Sequence, residues 1–211
     1  FGSYPDTSAQ SAWLNFTVKA IWDGLFFMFG GKAYAVFALL FGFSFFIQDN
    51  NQQMKGKDFR LRFCWRLVLL FLFGNLNASF FTAEVLVLYS LVGFILVPTC
   101  RLSDKTILIL ACLLLIQPLP LYYTLRAAFD PTYTPLTIPT RELWMTTYQS
   151  QMNGTFLETL RTNLWEGQLA SLAWAWDHGR VFQTAALFLL GMLAGRRRLF
   201  LQEALPIWNK I

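Results

Sequence analysis

Residues 33–81 read AYAVFALLFGFSFFIQDNNQQMKGKDFRLRFCWRLVLLFLFGNLNASFF. An apolar run, Ala33 to Ile47, enters a polar hinge carrying Lys55, Lys57, Arg60, Arg62 and Arg66, and a second apolar run, Phe63 to Phe81, leaves it. With its flanks, each run approaches the roughly 20 apolar residues that a helix rising about 1.5 Å per residue needs to cross about 30 Å of hydrocarbon. The pattern predicts a membrane hairpin. Basic residues in short loops set orientation, so the five cations assign the turn to the cytoplasm.

The composition agrees with that reading. Of 211 residues, 55% are hydrophobic, 18% aromatic and only 14% charged, which leaves too little charge to cover a soluble surface. The net charge of +5 comes largely from Lys and Arg that flank apolar runs. Orientation and attraction to anionic lipid account for it, so the expected partner is the bilayer and not a nucleic acid. Cys64, Cys100 and Cys112 form no C-x-x-C pair and read as reduced packing residues. The chain opens on Phe1 with no signal peptide, and it reads as a piece of a longer protein.

Working outward from the hinge, residues 13–29 are amphipathic, with Trp13 and Trp22 as interface anchors, and Gly30-Gly31 breaks that helix. The alternative is one span from Leu25 to Ile47 with Lys32 inside it. Five alternating crossings are expected: 33–47 inward, 63–81 outward, 85–100 inward, 106–123 outward and 181–195 inward, stopped by Arg196-Arg197-Arg198. Ser103 caps the fourth, and Pro118 and Pro120 disrupt its outer end. Residues 124–180 form the long polar segment, read as a periplasmic helical lid. Pro131, Pro135 and Pro139 keep its start extended, a short helix runs from Thr140 to Asn153-Gly154, and Thr155 with Glu158 has capping-box spacing for a helix towards Trp176. That helix offers an apolar face of Leu157, Leu160, Leu164, Leu169 and Leu172 with Trp165 and Trp176, suited to the membrane or the bundle. The fold class is therefore an all-α polytopic transmembrane bundle with an external helical segment.

Few residues offer chemistry. The single histidine lies in Asp177-His178-Gly179-Arg180, where three ionisable groups could orient a substrate or move a proton. A plain alternative is a helix start capped by Asp177. Glu84 at the outer entrance of the third span is a base or cation site if it faces between helices, and a favourable helix N-terminal charge if it does not. Asn75 and Asn77 interrupt an apolar helix, but two positions, about 200 degrees apart, cannot share one face, and interhelical hydrogen bonding suits at least one of them. Arg60, Arg62 and Arg66 could grip phosphate in pairs, although orientation alone explains them. No second histidine or cysteine pair completes a metal site. Gly191 and Gly195 form G-x-x-x-G, which permits close helix approach and suggests a homo-oligomer contact. Hydrolase-elbow, Walker and Rossmann motifs do not occur.

Certain segments resemble a known family. Lys32-Ala-Tyr34, Phe37-Ala-Leu-Leu-Phe-Gly42, Arg62, Arg66-Leu67, Glu84-Val-Leu with Tyr89 and Gly93, and Gly179-Arg180-Val-Phe182-Gln183-Thr184 leading to Leu190-Gly191-Met192 are similar to the YeiB-like bacterial membrane proteins, known mainly as domain of unknown function 418. The resemblance covers nearly the whole chain and implies a bacterial inner-membrane protein. Through that family's distant similarity to membrane acyltransferases, it implies transfer from cytoplasmic acyl-coenzyme A to an acceptor across the membrane. In that wider group an important histidine and an Arg-Gly motif lie on or near a first helix, which this sequence does not contain, as it also lacks the later helices. No bound cofactor is expected beyond acyl-coenzyme A as donor. A transporter or exporter of a small amphiphile is the rival reading, using the same polar groups as a path.

Overall fold

In the computed structural model the described residues are 16–23, 32–82, 85–130 and 139–199; they are helical with no strand among them. Two compact units divide the chain, Phe1–Phe37 and Ala38–Ile211. In the first, the described residues form helix α1 (16–23), with Trp22 exposed, and the opening turns of α2. Trp13 and the break expected at Gly30-Gly31 lie outside the described residues.

The second unit contains the rest of α2 (Lys32–Gln53), then α3 (Arg60–Phe80), α4 (Leu86–Gly93), α5 (Leu96–Thr99), α6 (Asp104–Leu115), α7 (Pro118–Phe129), α8 (Thr140–Asn153), α9 (Phe156–Thr162), α10 (Gln168–Asp177) and α11 (Arg180–Arg196). A π-helical turn, Asn163–Gly167, joins α9 to α10. Among the described residues three stretches are long and apolar enough to cross a membrane: Ala33–Gln53, Arg60–Phe80 and Asp104–Phe129. Leu86–Thr99 is apolar but shorter, and α11 has 17 residues.

Several boundaries differ from the expected ones for visible reasons. Helix α2 does not stop at Ile47. Its polar end is carried to Gln53 by side-chain bonds one turn apart, Gln48 Nε2 to Ser44 Oγ (2.8 Å) and Gln53 Nε2 to Asp49 Oδ2 (2.6 Å). Helix α3 likewise begins at Arg60, so Arg60, Arg62 and Arg66 ride on a helix and only residues 54–59 form the turn. Pro98 has no N–H for the carbonyl of Phe94, and the Val97 N–H takes that carbonyl instead at 3.2 Å, which separates α4 from α5. Gln117, which the following proline bars from continuing the helix, is left-handed (φ 54°) and breaks the Asp104–Phe129 stretch; nothing in its neighbours explains the choice of the left-handed region, and Pro118 then starts α7 at a position where no N–H is needed.

Two caps appear as the sequence indicates. The Ser103 side chain accepts from the Thr106 N–H, and Thr155 with Glu158 forms a complete capping box. Helix α8 keeps its expected bounds, whereas the extended start of the lid, residues 131–138, lies outside the described residues.

Among the described elements helix α11 buries the most residues: Thr184, Ala185, Ala186, Phe188, Leu189, Gly191, Met192, Leu193 and Gly195. It packs closely on α2. A Cβ on Gly42 would stand 1.9 Å from the Phe188 carbonyl oxygen, one on Gly191 2.0 Å from the Leu39 carbonyl oxygen, and one on Gly195 2.5 Å from the Phe46 ring. Gly191 and Gly195 are thus filled from within the chain, by α2. Around the crossing, Phe41 stacks on Phe188 (4.6 Å between centroids) and Tyr89 meets Phe188 edge-on (5.3 Å), an arrangement rings favour over face-to-face contact.

Candidate functional site

The basic segments of the second unit converge at one end. Arg196 Nη1 donates to the Leu102 carbonyl (2.7 Å) and to Asp104 Oδ1 (3.1 Å), while Nη2 donates to the Cys100 carbonyl. Arg101 approaches Asp58 at 3.8 Å. Residues 58, 100–104 and 196 therefore meet, although they are far apart in sequence.

Here α2, α3 and their turn form two clefts that separate the three expected arginines. The first, about 690 Å³, is lined by Gln48, Asn51, Gln52, Lys55, Phe59, Leu61, Arg62, Trp65 and Arg66. Arg62 and Arg66 lie four residues apart on one face of α3, and Arg66 Nη1 donates to Gln48 Oε1. Arg60 turns to the second cleft, about 500 Å³, with Asp49, Gln53, Lys57, Asp58, Cys100 and Arg101. Its guanidinium grips Asp58 in a fork (Nε to Oδ1 3.1 Å, Nη2 to Oδ2 2.6 Å), and those bonds hold the Asp58 carboxyl below its ordinary 3.8, at about 2.

Beneath the second cleft lies a smaller space of about 150 Å³, bounded by Phe45, Phe46, Asp49, Asn50, Gln53, Cys100, Met192 and Arg196. Asp49 stands at the junction and is only 7% exposed. It accepts from Gln53, while the two nearby guanidiniums of Arg60 and Arg196 are bonded to Asp58 and Asp104. Sequence reasoning missed it because Asp49 falls just past the end assigned to the first apolar run. The available signal was an acidic residue one helical turn beyond Phe45, still within reach of the buried face.

At the other end of this unit, His178 Nδ1 lies 2.9 Å from the Trp174 carbonyl and its ring stacks on Trp174 at 4.6 Å. Arg180 sits 5.7 Å over the same indole. Asp177 does not cap α11. Gly179 holds the N-cap position without a side-chain bond, and Asp177 Oδ2 accepts from Thr140 Oγ1 at 3.5 Å, tying α10 to α8. Glu84 lies outside the described residues. Asn75 bonds back to the Phe71 carbonyl of its own helix (2.7 Å), and Asn77 is exposed.

A further polar link between helices is made by the π turn. Asn163, on the π turn, donates to the Ser79 carbonyl of α3 (2.9 Å) and accepts from Gln151 of α8 (3.1 Å). Around it Ser150 Oγ, Glu166 Oε2 and Gln168 Nε2 are buried without hydrogen-bond partners. The π turn carries Asn163 and Glu166 and hands on to Gln168, the one polar residue that α10 buries; spacing alone gives no sign of such a turn. No group of three or more His, Cys, Asp or Glu is arranged to hold a metal among the described residues.

No protein-family model matches the chain, and no solved structure does. Two bacterial proteins are similar to part of it. One is an uncharacterised 39.9 kDa protein from the amylase 3' region of Bacillus acidopullulyticus, 27% identical over 92 residues, or 44% of this chain and 27% of that protein. The other is the uncharacterised protein YxaH of Bacillus subtilis, 34% identical over 90 residues, or 42% of this chain and 22% of that protein. The matched region spans about a quarter of the length of these curated relatives.

Proposed function

We propose that the chain is part of a multi-pass protein of the bacterial inner membrane, with the five crossings described above, basic loops in the cytoplasm and the 124–180 segment outside. It transfers an acyl group from acyl-coenzyme A to an acceptor on the far side. The observation that carries this reading is the first cleft, where Lys55, Arg62 and Arg66 surround a space open beside Trp65. Guanidinium forks bind phosphate oxygens in pairs, the lysine adds a point charge, and an indole face can stack on a base. Phosphate-bearing coenzyme A has this combination of groups. In the reaction the acceptor hydroxyl oxygen attacks the thioester carbonyl carbon, the carbon–sulfur bond breaks, and coenzyme A leaves as the thiol with the acceptor's proton. Arg60 contributes on the neighbouring face, and Glu84, Asn75 and Arg180 serve the acceptor side.

The test uses the full-length protein in nanodiscs. Coenzyme A binding is expected to weaken about ten-fold for Arg62→Ala and again for Arg66→Ala, since a hydrogen bond to a charged group contributes about 1.5 kcal/mol or more. Absence of coenzyme A binding, or binding that both substitutions leave unchanged, overturns the reading.

A second reading, export of a small amphiphile, is favoured by Asp49 alone. A buried carboxylate within a candidate span, facing a polar cavity, is the kind of group that carries protons in transporters. Proteoliposome flux that Asp49→Asn abolishes, with no acyl transfer from any donor, selects it.

A further inference from the structure

The lid has its polarity reversed relative to a water-facing helix. On α9, the π turn and α10, the residues turned into the protein are Asn163, Gly167, Gln168, Ala170, Ala173 and Ala175, with Asn163 at 3% and Gln168 at 8% exposure. From the π turn onward those most turned out are large and apolar, Trp165 at 67% and Leu169 at 53% exposure, whereas α9 exposes Leu157 beside Glu158 and Arg161. Trp165, Leu169, Leu172 and Trp176 follow one another at intervals of four, three and four, so they form one stripe along the rod.

That stripe does not end at a polar rim. Leu172 and Trp176 enter an apolar groove of about 480 Å³ shared with Leu88, Leu91, Val92 and Ile95 of α4 and its junction, Leu114 of α6, and Val181, Phe182 and Ala185 of α11. Helix α6 belongs to a candidate span, and its outward side chains, Leu108, Ile109 and Leu113, are exposed as well. One apolar surface therefore runs from a candidate membrane helix onto the lid. From Leu164 to Trp176 the only charged residue is Glu166, whose Oε2 is buried; Glu158 and Arg161 stand earlier, on α9, and Asp177 follows.

We propose that the Trp165–Trp176 stripe lies in a lipid bilayer, at the boundary of headgroups and acyl chains, and that the groove beneath it holds an alkyl chain of a bilayer lipid. The stretch from Leu164 to Trp176, whose only charge is Glu166, reaches only about 20 Å. The helix continues from it into α9 with Glu158 and Arg161, so the apolar part is too short to cross and lies in the interface with its tryptophans at that level. The polar groups on its inner side then face protein while its apolar side faces hydrocarbon, the arrangement a bilayer selects. The lid is an immersed arm and not a water-washed cover. This inference is independent of the acyl-transfer reading.

The experiment places a polarity-sensitive fluorophore at single cysteines in the full-length protein, with Cys64, Cys100 and Cys112 replaced by Ser, in bilayers containing nitroxide-labelled lipid. Labels at Trp165→Cys and Leu169→Cys are expected to be quenched by the lipid nitroxide at least three-fold more than a label at Gln149→Cys on α8, and to resist aqueous iodide. Quenching of both by iodide and not by lipid overturns the proposal. So does a label shielded from both quenchers, which would assign the stripe to another part of the protein or a second copy. Ala185→Phe, which fills the groove, should halve the co-purified lipid per protein or more; unchanged lipid content rejects the chain-binding half.

Discussion

Replacing Gly42 or Gly191 by Ala tests the α2–α11 crossing on which the bundle is built. The added carbon on Gly42 would sit 1.9 Å from the Phe188 carbonyl oxygen and 2.7 Å from its carbon, and that on Gly191 2.0 Å from the Leu39 oxygen and 3.0 Å from the Phe43 nitrogen. A carbon–oxygen contact is comfortable at about 3.3 Å, so the two helices must part locally by about 1.3 Å. A gap of that size removes about half of the dispersion energy of the atoms lining it. Backbone cannot swing aside, so the cost belongs in the upper part of the overpacking range, about 2–3 kcal/mol for each single substitution. For a chain of this length that is a fall of about 4–12 °C in Tm, measured by thermal unfolding in detergent. Gly93→Ala is the control: its nearest neighbour is Leu67 Cδ2 at 2.7 Å, the end of a flexible side chain, so about 1 kcal/mol is expected. Because both glycines open the same crossing, the double variant should lose less than the sum of the singles. Shifts no larger than that of Gly93→Ala, or fully additive ones, refute the reasoning.

Gly179→Ala should cost about 1–2 kcal/mol from its left-handed backbone alone (φ 68°), and more because its Cβ would strike the Gln117 side chain at 2.5 Å; a Tm unchanged from the parent rejects this. Arg196→Ala leaves two carbonyls and Asp104 without their donor and should destabilise by about 2 kcal/mol, with hydrogen exchange faster first around residues 100–104. Asp58, whose carboxyl is held at about 2 against an ordinary 3.8, stabilises the folded chain fully above about pH 4, and that contribution disappears as pH falls towards 2. In Asp58→Asn this part of the acid dependence should be missing from pH-dependent unfolding. Thr155→Ala removes one half of the capping box and should cost about 1 kcal/mol, seen as faster exchange of the Glu158 amide.

What was legible in the sequence is what short-range chemistry decides. The caps at Ser103 and Thr155 and the end of α8 at Asn153-Gly154 appear as read, because each depends on residues within one turn. What escaped depends on distant partners. The run Gln48 to Gln53 looks like a loop by composition, yet i,i+4 bonds and burial of Asp49 keep it helical. The G-x-x-x-G of α11 was visible, but the sequence does not say that its partner is α2, whose glycine lies 149 residues before Gly191. That three helices of the described residues are long and apolar enough to cross a membrane was plain from hydropathy. The candidate site was only half visible: Arg62 and Arg66 share a cleft, Arg60 faces another, and Asp49 went unnoticed between them.

The clasp of Arg196 also has a temporal side. It closes on Asp104, made 92 residues earlier, so at about 5–20 residues per second the ribosome keeps that carboxylate waiting for about 5–20 seconds. During the same interval the notch on α2 has no α11 to receive. The helices made before α11 stay a half-assembled set, and its arrival locks them together. A nascent chain stalled before residue 180 should thus remain open to proteases that the finished protein resists.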